Sequence, residues 1–448
     1  MAQQDHLLFV GCYNAFENLA HAPRGTPSAH SILTVELNND SGELKPTHAL
    51  SGLLNPAFLR HHPAHPILYA ATESIDAPGS VVGMTVSDSG KLTPFCEESA
   101  KGASTCYLTL TPDSRNLLFV NYWDSSMGVL AVDLAGRVLP GVRAMQPPPA
   151  PIRAGGLADH LANRQSEPHA HAIVLDPSLH RLAFVPDLGL DVIHFYVYDH
   201  ATETLTQAGS TPSAPPDPTG HGPRYVSEVG EVGEVGVGGL VGIRLLHRVR
   251  PAFRYIEFGR GGEPVAYVVN ELSSTVSVFR FSASIAAEIV ADPSVGAHKS
   301  PLELVQLVST RAASPPATKN TCGRIAIHPG NECVLVSNRG DDTIASFAIK
   351  RDPAAPGSTP TLAPAQIVST QGKTPRHFQF TAGGRYIVVA NQDSDSLASF
   401  RFDSASAGLA FTGYTCACSS PSFVCATPPP RLEPTAFMST PSSELESF

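Results

Sequence analysis

The sequence predicts an all-β protein, a seven-bladed β-propeller whose ring is closed by N- and C-terminal strands in one blade. Three observations predict it. Gly 36 and Pro 40 in 448 residues favour many turns over long helices. A hairpin pattern recurs along the chain at roughly 40–50 residues, the period of four-stranded blades. No stretch shows convincing helical periodicity.

The repeat is a short strand, a Pro- or Gly-centred turn, and a β-branched strand ending in a polar residue. Its copies are "FLRHHPAHPILYAATES" from Phe58, "YLTLTPDSRNLLFVNYW" from Tyr107 and "AIVLDPSLHRLAFVPDL" from Ala172. Three more are "YIEFGRGGEPVAYVVNE" from Tyr255, "RIAIHPGNECVLVSNR" from Arg324 and "HFQFTAGGRYIVVANQD" from His377. Further strands such as "TVSVFRF", "TIASFAI" and "SLASFRF" complete the blades. The N-terminal "LLFVGCY" matches only the second strand of the hairpin, so "PSFVCAT" from Pro421 is expected to supply the first. The expected organisation is one propeller over 1–426 and a disordered Pro/Ser-rich tail over 427–448. Pro-rich stretches near 144–166, 209–221 and 351–364 read as long loops.

Hydrophobic residues make up 42% and charged residues 16%, so a large core is available and wholesale disorder is excluded. A formal net charge of −10 disfavours nucleic acid or an anionic membrane as partner. The N-terminus lacks a basic region followed by an apolar run, and no apolar stretch reaches membrane-spanning length. The expectation is therefore a cytoplasmic monomer or weak homo-oligomer. The eight cysteines are scattered, apart from "CAC" and Cys425, and show no metal-ligand spacing. Reduced thiols are expected, with a C-terminal disulfide or metal clip as the alternative, and the leading reading takes neither metal nor cofactor.

In a propeller, equivalent positions of each repeat meet at the central channel. Just before the first strand stand Ala57, Cys106, His171, Arg254 or Arg224, Gly323 and Arg376. Ending the second strand stand Tyr13, Glu73, Tyr122, Leu188, Glu271, Arg339 and Gln392. Asp187, Asn270, Asn338 and Asn391 lie one step away; Asp187, Asn270 and Asn338 are candidates for substrate binding together with Arg254, Arg376 and His169, which stands behind His171. Arginine offers a donor fork to phosphate or carboxylate, and Glu or His can move a proton. Such a mouth suits a small anionic, ester-like substrate.

"PHAHAIVLDP", "FVPDLGLD", "GHGPRY", "YVVNELSSTVSVFRF", "SNRGDD" and "TPRHFQFTAGGRYIVVANQDSDS" together resemble the lactonase family of seven-bladed propellers. That family includes bacterial-type 6-phosphogluconolactonases and the fungal carboxymuconate cyclase. The resemblance implies a catalytic set of His171 (or His169), Arg224, Glu271 and Arg339, without a metal. It implies hydrolysis of a sugar lactone, first of all 6-phosphogluconolactone, with water activated by Glu271 or His171. The alternatives are a carboxymuconate cycloisomerase and a non-catalytic interaction propeller. One departure is Tyr225 where the family usually has His. The other is Val226–Tyr255, a low-complexity segment whose removal restores "GHGPRY-IEFGRGG" and puts Arg224 seventeen positions before Glu271. That segment reads as an insertion, such as an unspliced intron, or as a lid.

Overall fold

A computed structural model describes residues 6–147, 164–212, 253–259, 263–314, 319–355 and 357–427. Arg224, most of the segment 226–255 and the tail from 428 onward lie outside the described residues.

Seven four-stranded antiparallel sheets follow the repeat. Their innermost strands are Pro56–His61, Thr105–Leu110, Val174–Leu175, Phe253–Phe258, Thr321–Ile327, Pro375–Phe380 and Pro421–Ala426. In six sheets the four strands come from consecutive chain. In the seventh, Pro421–Ala426 pairs with His6–Cys12, in register from Leu8↔Ala426 to Cys12↔Pro421.

The second strand of each blade has a strand on either side and a neighbouring blade on either face. It is therefore buried along its whole length, with an apolar run in place of polar alternation and polar residues only at its ends. Ile67–Thr72, Asn116–Asn121, Val265–Asn270 and Tyr386–Asn391 are buried at every residue. The outermost strand has one free edge, where a missing N–H costs no ladder bond. Prolines collect there: Pro46, Pro94, Pro140, Pro212 and Pro364 all lie within outermost strands. This corrects part of the expected loops, because Val138–Gln146, Thr204–Pro212 and Thr361–Ser369 run as strands into the Pro-rich stretches. Proline on these edges also blocks pairing with another chain.

The expected absence of helix is corrected as well. Helix α1 (Ala283–Ala291) occupies the third connection of its blade. The Ser282 side chain accepts from the Ile285 N–H and caps its first turn. Ala286 and Ile289, three residues apart, face the core beside Phe281 and Leu302. Four alanines and few charges made this stretch too short and too uniform to show a period.

One irregularity recurs and positions the site. Pairing of the inner strand slips by one residue between Pro56 and Phe58, Thr105 and Tyr107, Phe253 and Tyr255, and Pro375 and His377. The slip spans Cys322 to Ile325 in another blade and skips Ser422 in the closing blade. In the remaining blade Ala170 opposes Asp187 whereas Val174 opposes Phe184, the same offset of one. A β-bulge takes its extra residue out of the ladder and re-aims its side chain. Here the extra residues are Ala57, Cys106, Arg254, Arg376 and their equivalents, and those four with Ser422 line the channel.

Candidate active site

The site is built on Glu271, which follows the buried strand Val265–Asn270 and is itself buried. Three guanidiniums converge on its carboxylate. Arg254 Nη1 donates to Oε2 at 2.5 Å, Arg164 Nη2 to Oε1 at 2.7 Å, and Arg339 Nη2 lies 2.9 Å from Oε1. Each reaches the carboxylate by a different local route. Arg254 is turned inward by the bulge in Phe253–Phe258, and Arg339 ends the strand Cys333–Arg339 of the next blade. Arg339 also donates to the Cys322 carbonyl at 2.7 Å, which fixes the plane of its fork. Arg164 comes from the connection preceding the His171 blade and is 38% exposed.

These charges set one another. Burial alone would raise the Glu271 carboxyl, but Arg339, Arg254 and Arg164 outweigh it and hold the group well below the usual carboxylate range. Burial, with Arg254 next to it, pushes Arg339 down to about 10, so it stays charged at neutral pH. His171 is buried, its ring edge-on to Tyr122 at 5.2 Å and to Tyr255 at 5.0 Å. Burial and then Arg254 hold His171 well below 6.5, so the ring is neutral. Its Nδ1 is buried and has no partner among the described residues. His169 stacks on Tyr122 at 4.8 Å, behind the mouth, with Nδ1 3.2 Å from the Tyr122 carbonyl.

A second half of the mouth faces this one. Tyr13 donates to Glu73 Oε2 at 2.8 Å, and Arg376 lies 3.9 Å from the same oxygen and over the Tyr13 ring. His21 sits edge-on to Tyr13 with Nε2 3.4 Å from Gln392 Oε1. Among the described residues, four guanidiniums thus face two carboxylates and neutral imidazoles at the mouth, an excess of two positive charges. Below it the channel narrows to a void of about 10 Å³, room for about one water. At the other end of the channel Arg324 is paired with Glu257 at 2.8 Å, and Arg60 donates to the Leu108 carbonyl at 3.0 Å.

The sequence-expected residues separate into two groups. His171, Arg254, Glu271 and Arg339 come together, with Arg376 across the mouth and His169 adjoining. Arg224 lies outside the described residues, and Arg254 holds the inner-strand slot. Asp187, Asn270 and Asn338 are not at the mouth. Asp187 accepts from the His169 and Leu190 N–H groups. Asn270 donates to Thr275 and Ser277, and Asn338 to the Thr310 carbonyl and Thr343. Each is fully buried and ties down the turn that follows its strand, which explains why this polar strand end repeats in the blades other than the closing one. Arg164 was not legible, because it lies in a Pro-rich connection with no repeat register. Glu73 and Tyr13 stood in the aligned columns, but nothing in one dimension says that they meet Arg376 across the ring.

Among the described residues, no helix is long and apolar enough to cross a membrane, and no three His, Cys, Asp or Glu side chains form a metal site. The family model described as lactonase, seven-bladed β-propeller, matches residues 8–426. The chain is 26% identical over 378 residues to the 6-phosphogluconolactonase of Bacillus subtilis, covering 84% of this chain and 88% of that one. It is 24% identical to the 6-phosphogluconolactonase of Formosa agariphila, covering 83% and 88%. Among solved structures, the periplasmic gluconolactonase of Pseudomonas aeruginosa superposes with a TM-score of 0.71 at 24% identity, covering 94% of this chain and 99% of that one. At that identity the likeness speaks to the fold.

Proposed function

The chain belongs to the lactonase family of seven-bladed β-propellers, and from that premise we propose that its positively charged mouth hydrolyses an anionic sugar lactone, 6-phosphogluconolactone above all. The observation that carries the reading is the excess, among the described residues, of guanidinium over carboxylate around a neutral imidazole whose Nδ1 has no partner there. A lactone carrying a phosphate supplies the missing negative charge.

The two candidate bases differ in what they have free. Both oxygens of Glu271 are engaged by guanidiniums, and its carboxyl is held far below neutral pH, which makes it a weak proton acceptor. His171 Nδ1 has no hydrogen-bond partner among the described residues. Its low basicity comes from burial and from Arg254, so an anion bound at the mouth offsets the second cause and strengthens the base. His171 then takes a proton from water as the water attacks the lactone carbonyl. Arg339 and Arg254 stabilise the oxyanion that forms. The tetrahedral intermediate collapses with cleavage of the ring C–O bond, and the His171 imidazolium returns its proton to the leaving alkoxide. Arg376 holds the remote anionic group, and Glu271 keeps its arginines aimed.

The experiment is acid release from 6-phosphogluconolactone, measured against the spontaneous rate, with carboxymuconolactone in parallel. Acceleration of the first supports the proposal. Turnover of the second alone reassigns the site to a cycloisomerase, and turnover of neither overturns an enzymatic role for the mouth.

A further inference from the structure

Six blades hold their inner strand by a covalent hairpin, whereas the closing blade holds Pro421–Ala426 to His6–Cys12 by hydrogen bonds between opposite ends of the chain. That seam is where the ring opens most easily, since no short loop keeps its two strands together. Two thiols meet at one end of it. Cys12 Sγ, on the last residue of the N-terminal strand, lies 3.6 Å from Cys418 Sγ, just after the strand Gly408–Ala417. The pair is separated by 406 positions in sequence.

The backbones around both sulfurs are already fixed. The Cys12 N–H donates to the Ser31 carbonyl at 2.9 Å, and the Cys418 N–H to the Asp395 carbonyl at 3.0 Å. Tyr13 N–H donates to Ser420 O at 3.0 Å, which ties the seam directly beside the thiols. A disulfide needs the sulfurs closer by about 1.5 Å. Cys416, two residues before Cys418, belongs to the same buried cluster.

We propose that Cys12 and Cys418 form a disulfide that clasps the two ends of the chain across the closing blade. The co-reactant is a disulfide oxidant such as oxidised glutathione. One protein thiolate attacks it, releasing one reduced glutathione and leaving a mixed disulfide. The second protein thiolate attacks the protein sulfur of that bond, releasing another glutathione. Two protein thiols thereby lose two protons and two electrons, and one oxidised glutathione gains them. Both sulfurs are buried, so the reaction accompanies opening of the seam or closure of the ring during folding.

The test uses the full chain, both treated with oxidised glutathione and exported to an oxidising compartment. Free thiols are then alkylated and the protein is digested without reduction. A peptide linking Cys12 to Cys418, with the intact mass before alkylation lower by about 2 Da than that of the reduced protein, is expected in both samples. Oxidised protein is expected to melt about 3 °C or more above its reduced form. Cys418→Ser is expected to melt alike under both conditions, and Cys12→Ala serves if that variant folds poorly. Three results overturn the proposal: a Cys416–Cys418 link in place of Cys12–Cys418, absence of the linked peptide from both samples, or no melting difference between oxidised and reduced wild type.

Discussion

Replacing Glu271 with Gln tests whether this carboxylate anchors arginines or moves a proton. The shape of the side chain is kept, but its charge is lost and one oxygen becomes an NH₂ group facing guanidinium donors. Glu271 is 2% exposed, Arg254 4% and Arg339 12%, so two of the three ion pairs are shielded from water. Arg164, at 38%, is partly rescued by solvent and adds little. Removing one partner from a buried ion pair costs about 3–5 kcal/mol, because the remaining charge is left uncompensated. Glu271→Gln is therefore expected to lose stability on that scale, read as a lower urea midpoint at unchanged slope. Turnover is expected to fall with it, as Arg254 and Arg339 lose their aim. Were Glu271 the general base instead, kcat would collapse while the urea midpoint stayed where it was, and that result refutes the anchoring role.

Arg339→Lys keeps the charge but replaces a planar guanidinium, held by Glu271 and the Cys322 carbonyl through Nη2, with a point charge that offers an anion no bidentate fork, and should raise KM for an anionic lactone about 10-fold or more. An unchanged KM contradicts anion recognition by Arg339. Stability should also fall in acid. His171, His377, His21 and His61 are all held below 6.5, by burial first and neighbouring arginines second, His61 at about 4. Below pH 6.5 the unfolded chain binds protons at these rings that the folded chain refuses, so stability is full above that pH and declines beneath it. Glu271 adds a further loss below about 4.5, where its unfolded carboxyl protonates. Melting temperatures that stay level from pH 7.5 to 5 count against these buried neutral histidines. Deleting Val226–Tyr255 joins Arg224–Tyr225 to Ile256 and puts an equivalent Arg-Tyr pair into the slot of Arg254–Tyr255. The shortened chain is expected to be at least as stable and at least as active. Failure to fold, or loss of a turnover that the full chain has, makes the segment part of the working protein.

The blade pattern was legible because it is local. A turn residue, a β-branched run and a polar strand end recur within a few residues, and each acts on its own neighbours. The positions of Arg254, His171 and Arg376 were legible for the same reason, since the bulge that turns them inward falls at one fixed place in every repeat. What the sequence leaves open is decided by the packing of blade on blade and by closure of the ring. Arg254 reaches Glu271 from its own blade, Arg339 from the next blade and Arg164 from a connection, so three guanidiniums converge on one carboxylate. Neighbouring blades set Tyr13 against Glu73, and closure sets Cys12 against Cys418, pairs separated by 60 and 406 positions. Charge pairing and thiol contact depend on distance through space and fall off within a few ångströms. Strand and turn propensities depend on distance along the chain, which is why the sequence carries the blades and the tertiary structure carries the chemistry.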